Sequence, residues 1–390
     1  MLLGLIYHLD FCALNCSNLN IKKRRKPWLD NVKMFAMICV IAGHVGGLFA
    51  NGIPGRLFGM IVAFNMPLFV LLSGYSALKG LLRIESLESL LDYLDKILYR
   101  ICVPTVCFSA LNQAIQGMLF ARKLWFVFAI VCFGYWIFER HYLHVLRSKA
   151  LTLLIRSLTI AFLLISSSWL REFWFLSTLI EIQSLAAMMF WISHYIKNDG
   201  IRLALLSILI WIAPYYIFGS WTFEMSAYFS IGLLCYKFDI LERLQYLSYW
   251  KSALMFIIGA VLCRYFTIDY GFYSWGLHDL IDSSGLIYVY PLRLVIALLI
   301  SISIISWIQK LSKEYSWFSS MGAQTLAFYM IHATIIDFFI KPYFHFEDSH
   351  VYMWIVALLC TTLLIVVSYA IILLLKVPKV TRCILLGDWK

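Results

Sequence analysis

Two residues in the first apolar stretch of the chain can do chemistry. Lys33 and His44 lie eleven residues apart in a run that is otherwise almost wholly apolar. On a helix that spacing is a rise of about 16 Å. It is also a rotation of roughly 1100°, about 20° beyond three turns, so both side chains project from nearly one face. A cation and an imidazole on one face can line one path, the cation holding an anion and the imidazole taking and returning a proton. The alternative is that Lys33 reaches lipid headgroups and His44 bonds a buried carbonyl. His332 lies in a late apolar run with Asp337 five residues on, about 140° away around a helix, so these two do not share a face. Glu181 and Arg264 each sit in an apolar run and suit an intramembrane ion pair as well as catalysis. Asn112 and Gln116 share a face at i,i+4, which suits a polar cavity or, more readily, interhelical hydrogen bonds. Asn65–Met66–Pro67 predicts a kink, and Ser73–Gly74 after it predicts close contact with a neighbouring helix.

The elements that must position these residues follow from composition. Of 390 residues, 62% are hydrophobic and 14% charged, against about 45–50% and 25% in soluble domains. That excludes a soluble enzyme, a disordered chain and a nucleic-acid binder. The apolar stretches are continuous rather than alternating, which argues against an outer-membrane barrel. An all-α polytopic helical membrane protein with 10–12 transmembrane helices is expected. Twelve candidate spans fall at 32–50, 57–78, 102–120, 124–138, 151–167, 173–195, 203–219, 224–238, 252–268, 290–308, 322–341 and 352–376. Those at 124–138 and 224–238 are short enough to be re-entrant or interfacial. Residues 84–100 read as an amphipathic stretch along the inner interface.

The net charge of +11 is concentrated in alternate loops. Lys22, Lys23, Arg24, Arg25 and Lys26 precede the first span, and Lys79, Arg83, Lys96 and Arg100 follow the second. The positive-inside rule then places both termini in the cytoplasm. The organisation read from this is a basic cytoplasmic segment at 1–27, a transmembrane domain at 28–376 and a cytoplasmic tail at 377–390. The first twenty residues make a poor signal peptide, because no basic region precedes their short apolar part. The ten cysteines show no zinc-site or disulfide spacing, and no metal is expected.

Several short motifs occur in one order: DNVKMFAMICVIAGH at 30–44, MPLFVLLSGY at 66–75, RICVP at 100–104, FWFLS at 173–177, YFSIGLLCY at 228–236 and GAQTLAFYMIH at 322–332. Together they resemble the membrane-bound acyltransferase family 3. The likeness is greatest to bacterial O-acetyltransferases of surface carbohydrate, in the fucose 4-O-acetylase-like branch. Asp30 and His44 match the family's first-helix pattern. Lys33 stands where most members carry Arg, a point charge in place of a bidentate fork. Arg100 matches the basic residue ahead of a proline, the family's second nearby Arg being absent. His332 matches a late histidine motif through Tyr329.

The resemblance implies acyl-CoA, commonly acetyl-CoA, as co-substrate from the cytoplasmic side, with no permanently bound cofactor. The partners it implies are the bilayer and a carbohydrate acceptor such as O-antigen, exopolysaccharide or a lipid-linked sugar, in the bacterial inner membrane. On it, His44 is general base or acyl relay, with His332 and Asp30 in the catalytic group. Lys33 and Arg100 would bind the donor, and Asn65, Ser73, Trp174, Glu181 and Tyr329 would line a cavity. A polysaccharide polymerase or flippase is the main rival. It is disfavoured because the longest outer loop, about 269–289, contains no Arg. A transporter would show repeated halves, and none is seen.

Overall fold

A computed structural model describes residues 26–48, 55–115, 173–218, 220–263, 289–311, 316–341 and 352–387. Among these residues the protein is helical, with no strand. The expected spans at 124–138 and 151–167, Arg264, Gln116 and the first twenty residues lie outside the described residues.

The long apolar runs become α1 (Pro27–Leu48), α2 (Gly55–Leu81), α5 (Trp174–Ile192), α6 (Asp199–Ile217), α10 (Val289–Leu311) and α13 (Tyr352–Lys376). Each includes a stretch long and apolar enough to cross a bilayer. Between them lie α3 (Leu87–Ile97), α4 (Val103–Ile115), α7 (Ser220–Lys237), α8 (Ile240–Arg243), α9 (Tyr249–Leu262), α11 (Ser316–Gly322) and α12 (Thr325–Ile335), with α14 (Lys379–Leu386) last. The lipid face is plain in α13 and α6. Leu358, Leu359, Leu363, Leu374, Ile201 and Ile208 are all exposed, as hydrocarbon permits and water does not. The protein is a polytopic all-α membrane protein.

Two expected spans are interrupted. The run at 322–341 is broken at Ala323–Gln324 and ends in a π-helical turn, Ile336–Ile340. The run at 102–120 is entered through another π turn, Leu98–Cys102, which joins the amphipathic α3 to α4. Helix α3 is started by a reciprocal cap between Ser86 and Ser89 and buries Leu90, Leu91, Leu94 and Ile97.

The most extensive packing in the bundle is between α2 and α7. It depends on two glycines. A Cβ on Gly74 would stand 2.1 Å from the Phe229 carbonyl oxygen, and one on Gly232 equally close to that of Leu71. The backbones therefore meet without intervening side chains, the contact expected of Ser73–Gly74. Gly322 does the same for α11 on α1, where a Cβ would lie 1.8 Å from the Asp30 carbonyl oxygen. These contacts hold α2 in register with α7, and α1 in register with α11. Asn112 accepts a hydrogen bond of 2.9 Å from Thr334 on α12, an interhelical bond as expected.

Candidate active site

Helix α12 runs beside α1 and brings His332 to His44. Their ring centroids are 5.2 Å apart in an edge-on arrangement. His332 is fully buried. Its Nδ1 lies 2.7 Å from the Phe328 carbonyl oxygen, one turn back on the same helix. A carbonyl can only accept, so Nδ1 carries the hydrogen and the lone pair of a neutral ring is on Nε2. That Nε2 has no hydrogen-bond partner among the described residues. His44 is exposed, although Ile41, Gly43 and Val45 around it are buried. The pair thus combines a histidine of fixed tautomer with one that open space can reach. The Gly43 side of α1 also faces Asn65, whose amide nitrogen would lie 3.7 Å from a Cβ at that glycine. Asn65 Oδ1 accepts from the Met66 N–H at 2.6 Å, just ahead of Pro67.

A cavity of about 650 Å³ lies further toward the Lys33 end of α1. Its walls come from α1, α2, α3, α5, α12 and the π turn before α4. Five basic side chains line it, Lys33, Lys79, Arg83, Lys96 and Arg100, against one acidic residue, Asp92. Lys33 and Asp30 stand 4.0 Å apart, and Asp30 is buried. Arg100 rides on the π turn, which is braced from behind by the left-handed Gly387 just after α14. A Cβ there would come within 2.8 Å of the Arg100 carbonyl oxygen. Tyr93 also lines the cavity, and burial pushes its hydroxyl well up, so it stays a hydrogen-bond donor. The rest of the wall mixes apolar and aromatic residues, including Met37, Phe69, Phe175 and Leu176, with the uncharged polar Ser73, Ser76, Ser89, Gln183 and Thr325.

Tyr329 joins the two parts. It lines the cavity, and its ring centroid is 5.7 Å from that of His332 one helical turn on. The cavity, Tyr329, His332 and His44 therefore form one continuous series along α12 and α1. This series could hold an anionic, partly apolar molecule at one end and exchange protons at the other.

Among the residues singled out from sequence, Lys33, Arg100, Ser73 and Tyr329 line this cavity, and Asn65, Trp174 and Glu181 lie outside it. Trp174 packs edge-on against Phe175. Glu181 accepts a 2.6 Å hydrogen bond from Thr222 on α7 and makes no ion pair among the described residues. Among the described residues a buried ion pair joins Glu224 with Arg293. Arg293 Nη1 donates to the Glu224 carboxylate at 2.8 Å, tying α7 to α10, and both residues are buried. Sequence reading also passed over Lys79, Arg83 and Lys96, which the positive-inside rule explains without a site. Their spacing was a usable signal, since Lys79–Arg83 and Lys96–Arg100 are both i,i+4 pairs that present cations together.

Fold and site define a membrane-embedded helical protein with a basic cavity beside an intramembrane histidine pair. Residues 26–373 match the family model described as an acyltransferase domain. The chain belongs to the acyltransferase 3 family and is a membrane acyltransferase. No curated protein and no solved structure matches it.

Proposed function

We propose that the protein moves an acyl group, chiefly acetyl, from cytoplasmic acyl-CoA to a hydroxyl of a cell-surface carbohydrate or its lipid-linked precursor. On this reading it lies in the bacterial inner membrane with both termini in the cytoplasm. The observation that supports it is the continuity of the basic cavity with the histidine pair through Tyr329. CoA carries several phosphates on one end and a neutral thioester on the other. A cavity with five cations and a cluster of apolar and aromatic side chains suits both ends.

The chemistry asked of the residues is modest. A sugar hydroxyl is a poor nucleophile at neutral pH, so a base must take its proton as the oxygen attacks the thioester carbonyl. His44 is that base, because it is the histidine that open space reaches. The C–S bond breaks as the new C–O bond forms. The imidazolium then returns its proton to the departing thiolate, giving CoA thiol and the ester. In the relay variant the His44 ring first takes the acyl group and passes it to the hydroxyl. His332, held by the Phe328 carbonyl, presents Nε2 toward this exchange and orients or relieves His44. Lys33 and Arg100, with Lys79, Arg83 and Lys96, hold the donor's phosphates, and Asp30 orients Lys33.

The test is mass spectrometry of surface polysaccharide from cells with the wild-type gene, a deletion and His44→Ala. Loss of one acetyl mass per repeat unit in both altered strains, with His44→Ala protein inserted at normal level, is expected. Normal O-acetylation in the inserted His44→Ala strain would overturn the assignment. Unchanged repeat mass with shortened chains would favour a polymerase or flippase instead.

A further inference from the structure

We propose that Phe175 and Tyr329 set the length of the acyl group, by closing the apolar end of the cavity so that only a short chain passes to the histidine pair. This rests on the acyl-CoA reading above and adds to it a specificity that the family assignment does not supply. The cavity is polarised. Its cations come from α1, the end of α2, the turn after it, α3 and the π turn. By contrast, α5 and α12 contribute no charge but Phe175, Leu176, Leu179, Leu326 and Tyr329, with Gln183 and Thr325 as their polar residues. At this apolar end the rings are packed against one another. Phe175 lies 5.9 Å from Phe69 and 5.5 Å from Tyr329, and Phe173 lies behind Tyr329 at 6.3 Å.

Phe69, Phe175 and Tyr329 are only 7%, 4% and 4% exposed, so each shows the cavity little more than an edge. Tyr329 is also the ring next to His332. A thioester carbonyl that reaches the histidines must therefore carry its acyl substituent past these rings. An acetyl group adds one methyl. Each further methylene needs volume that packed rings already fill, and a close-packed interior does not yield it freely. Discrimination of one methylene in such a pocket is roughly 10–200-fold.

Inverted membrane vesicles from cells carrying the gene contain the native acceptor and present the cytoplasmic face. They would be given acyl-labelled acetyl-, butyryl- or hexanoyl-CoA, and label entering the carbohydrate fraction counted above vesicles from the deletion strain. Wild type should prefer acetyl strongly. Phe175→Ala should raise the hexanoyl-to-acetyl ratio of kcat/KM by at least about tenfold, with Phe175→Leu between the two. Met188→Ala, on the exposed side of α5, should keep the wild-type ratio. The leucine variant preserves the test should the alanine variant not insert. A ratio unchanged in both Phe175 variants, or shifted as much by Met188→Ala, overturns the proposal while leaving the donor reading intact. No label above background from any CoA thioester in wild-type vesicles overturns the donor reading and this proposal with it.

Discussion

Among the described residues two polar pairs join helices of the bundle, and they are built on opposite principles. Glu224 and Arg293 bring opposite full charges into contact at 2.8 Å between α7 and α10, with both side chains nearly inaccessible. Their charges cancel and no solvent or ligand reaches them. His44 and His332 bring together two groups that are neutral in the resting state proposed for them. One of them keeps a buried Nε2 without a hydrogen-bond partner among the described residues, and the other opens onto free space. The first arrangement is sealed, so it serves only to hold helices together. The second keeps one ring within reach of open space, which a purely structural pair does not need. Polarity inside a membrane therefore marks function when part of it is left reachable.

The sharpest way to break this comparison is to disable each pair in turn and measure both stability and turnover. His44→Gln keeps a polar side chain of similar size but removes the base. A general base is worth roughly 10²–10⁴ in rate, so kcat should fall by that factor, with KM and thermal unfolding in detergent close to wild type. Stability loss matching the activity loss would make the histidines as structural as the ion pair. The ion pair should behave the other way. Arg293→Met leaves the Glu224 carboxylate buried without its partner and should cost about 3–5 kcal/mol, read as earlier unfolding in detergent. Glu224→Met with Arg293→Met should recover most of that loss, because an apolar pair needs no compensation. Failure of the double variant to recover would mean that the pair does more than join two helices.

The sequence makes the fold class plain for a simple physical reason. Apolar runs of spanning length have few other destinations, and the described helices follow them. His44, Lys33 and His332 stood out because ionisable groups in such runs are costly, whereas Arg100, a loop cation, was marked only by the family resemblance. What stayed hidden is pairing. His44 and His332 lie near opposite ends of the chain, and no periodicity relates them. Glu224 and Arg293 are charges in apolar runs too, yet the ion-pair expectation fell on Glu181 and Arg264, because composition does not choose partners. The cavity's extra cations were masked by a rule that already explained them, since Lys79, Arg83 and Lys96 serve topology whether or not they bind anything. The breaks at Leu98–Cys102 and Ala323–Gln324 were also unreadable. They arise where the chain must meet other helices, as where Gly322 touches the Asp30 backbone.

A smaller effect tests whether the helix carrying Glu224 is held by its charge or by its backbone contact. Gly232→Ala puts a methyl where the Leu71 carbonyl oxygen stands 2.1 Å away. Helix α7 must then move off α2, at about 1–3 kcal/mol. If backbone contact and ion pair are independent, this loss adds to that of Arg293→Met. If α7 moves as one body they will be non-additive, and a double-mutant cycle distinguishes the two.

The smallest effect concerns a third polar cluster, which lies between the two principles. Lys26, Tyr75 and Glu242 meet where the start of α1, the end of α2 and α8 converge. Tyr75 donates to Glu242 at 2.6 Å, and Lys26 donates to both Tyr75 and Glu242. The charges are partly exposed, so the pair resembles a surface bridge and is worth little. Partial burial pushes the Glu242 carboxyl up, but the bonds from Lys26 and Tyr75 and the ammonium charge outweigh it, holding the group below its ordinary value. A carboxyl held low in the folded state adds stability above its unfolded value, about 4.3. That stability is lost as pH falls through the lower folded value. Wild type should thus lose a small increment of thermal stability on acidification across that range that Glu242→Gln does not lose. A Glu242→Gln profile parallel to wild type would mean that the cluster is fully solvated and that α8 is held by its apolar contacts, chiefly the buried Leu241.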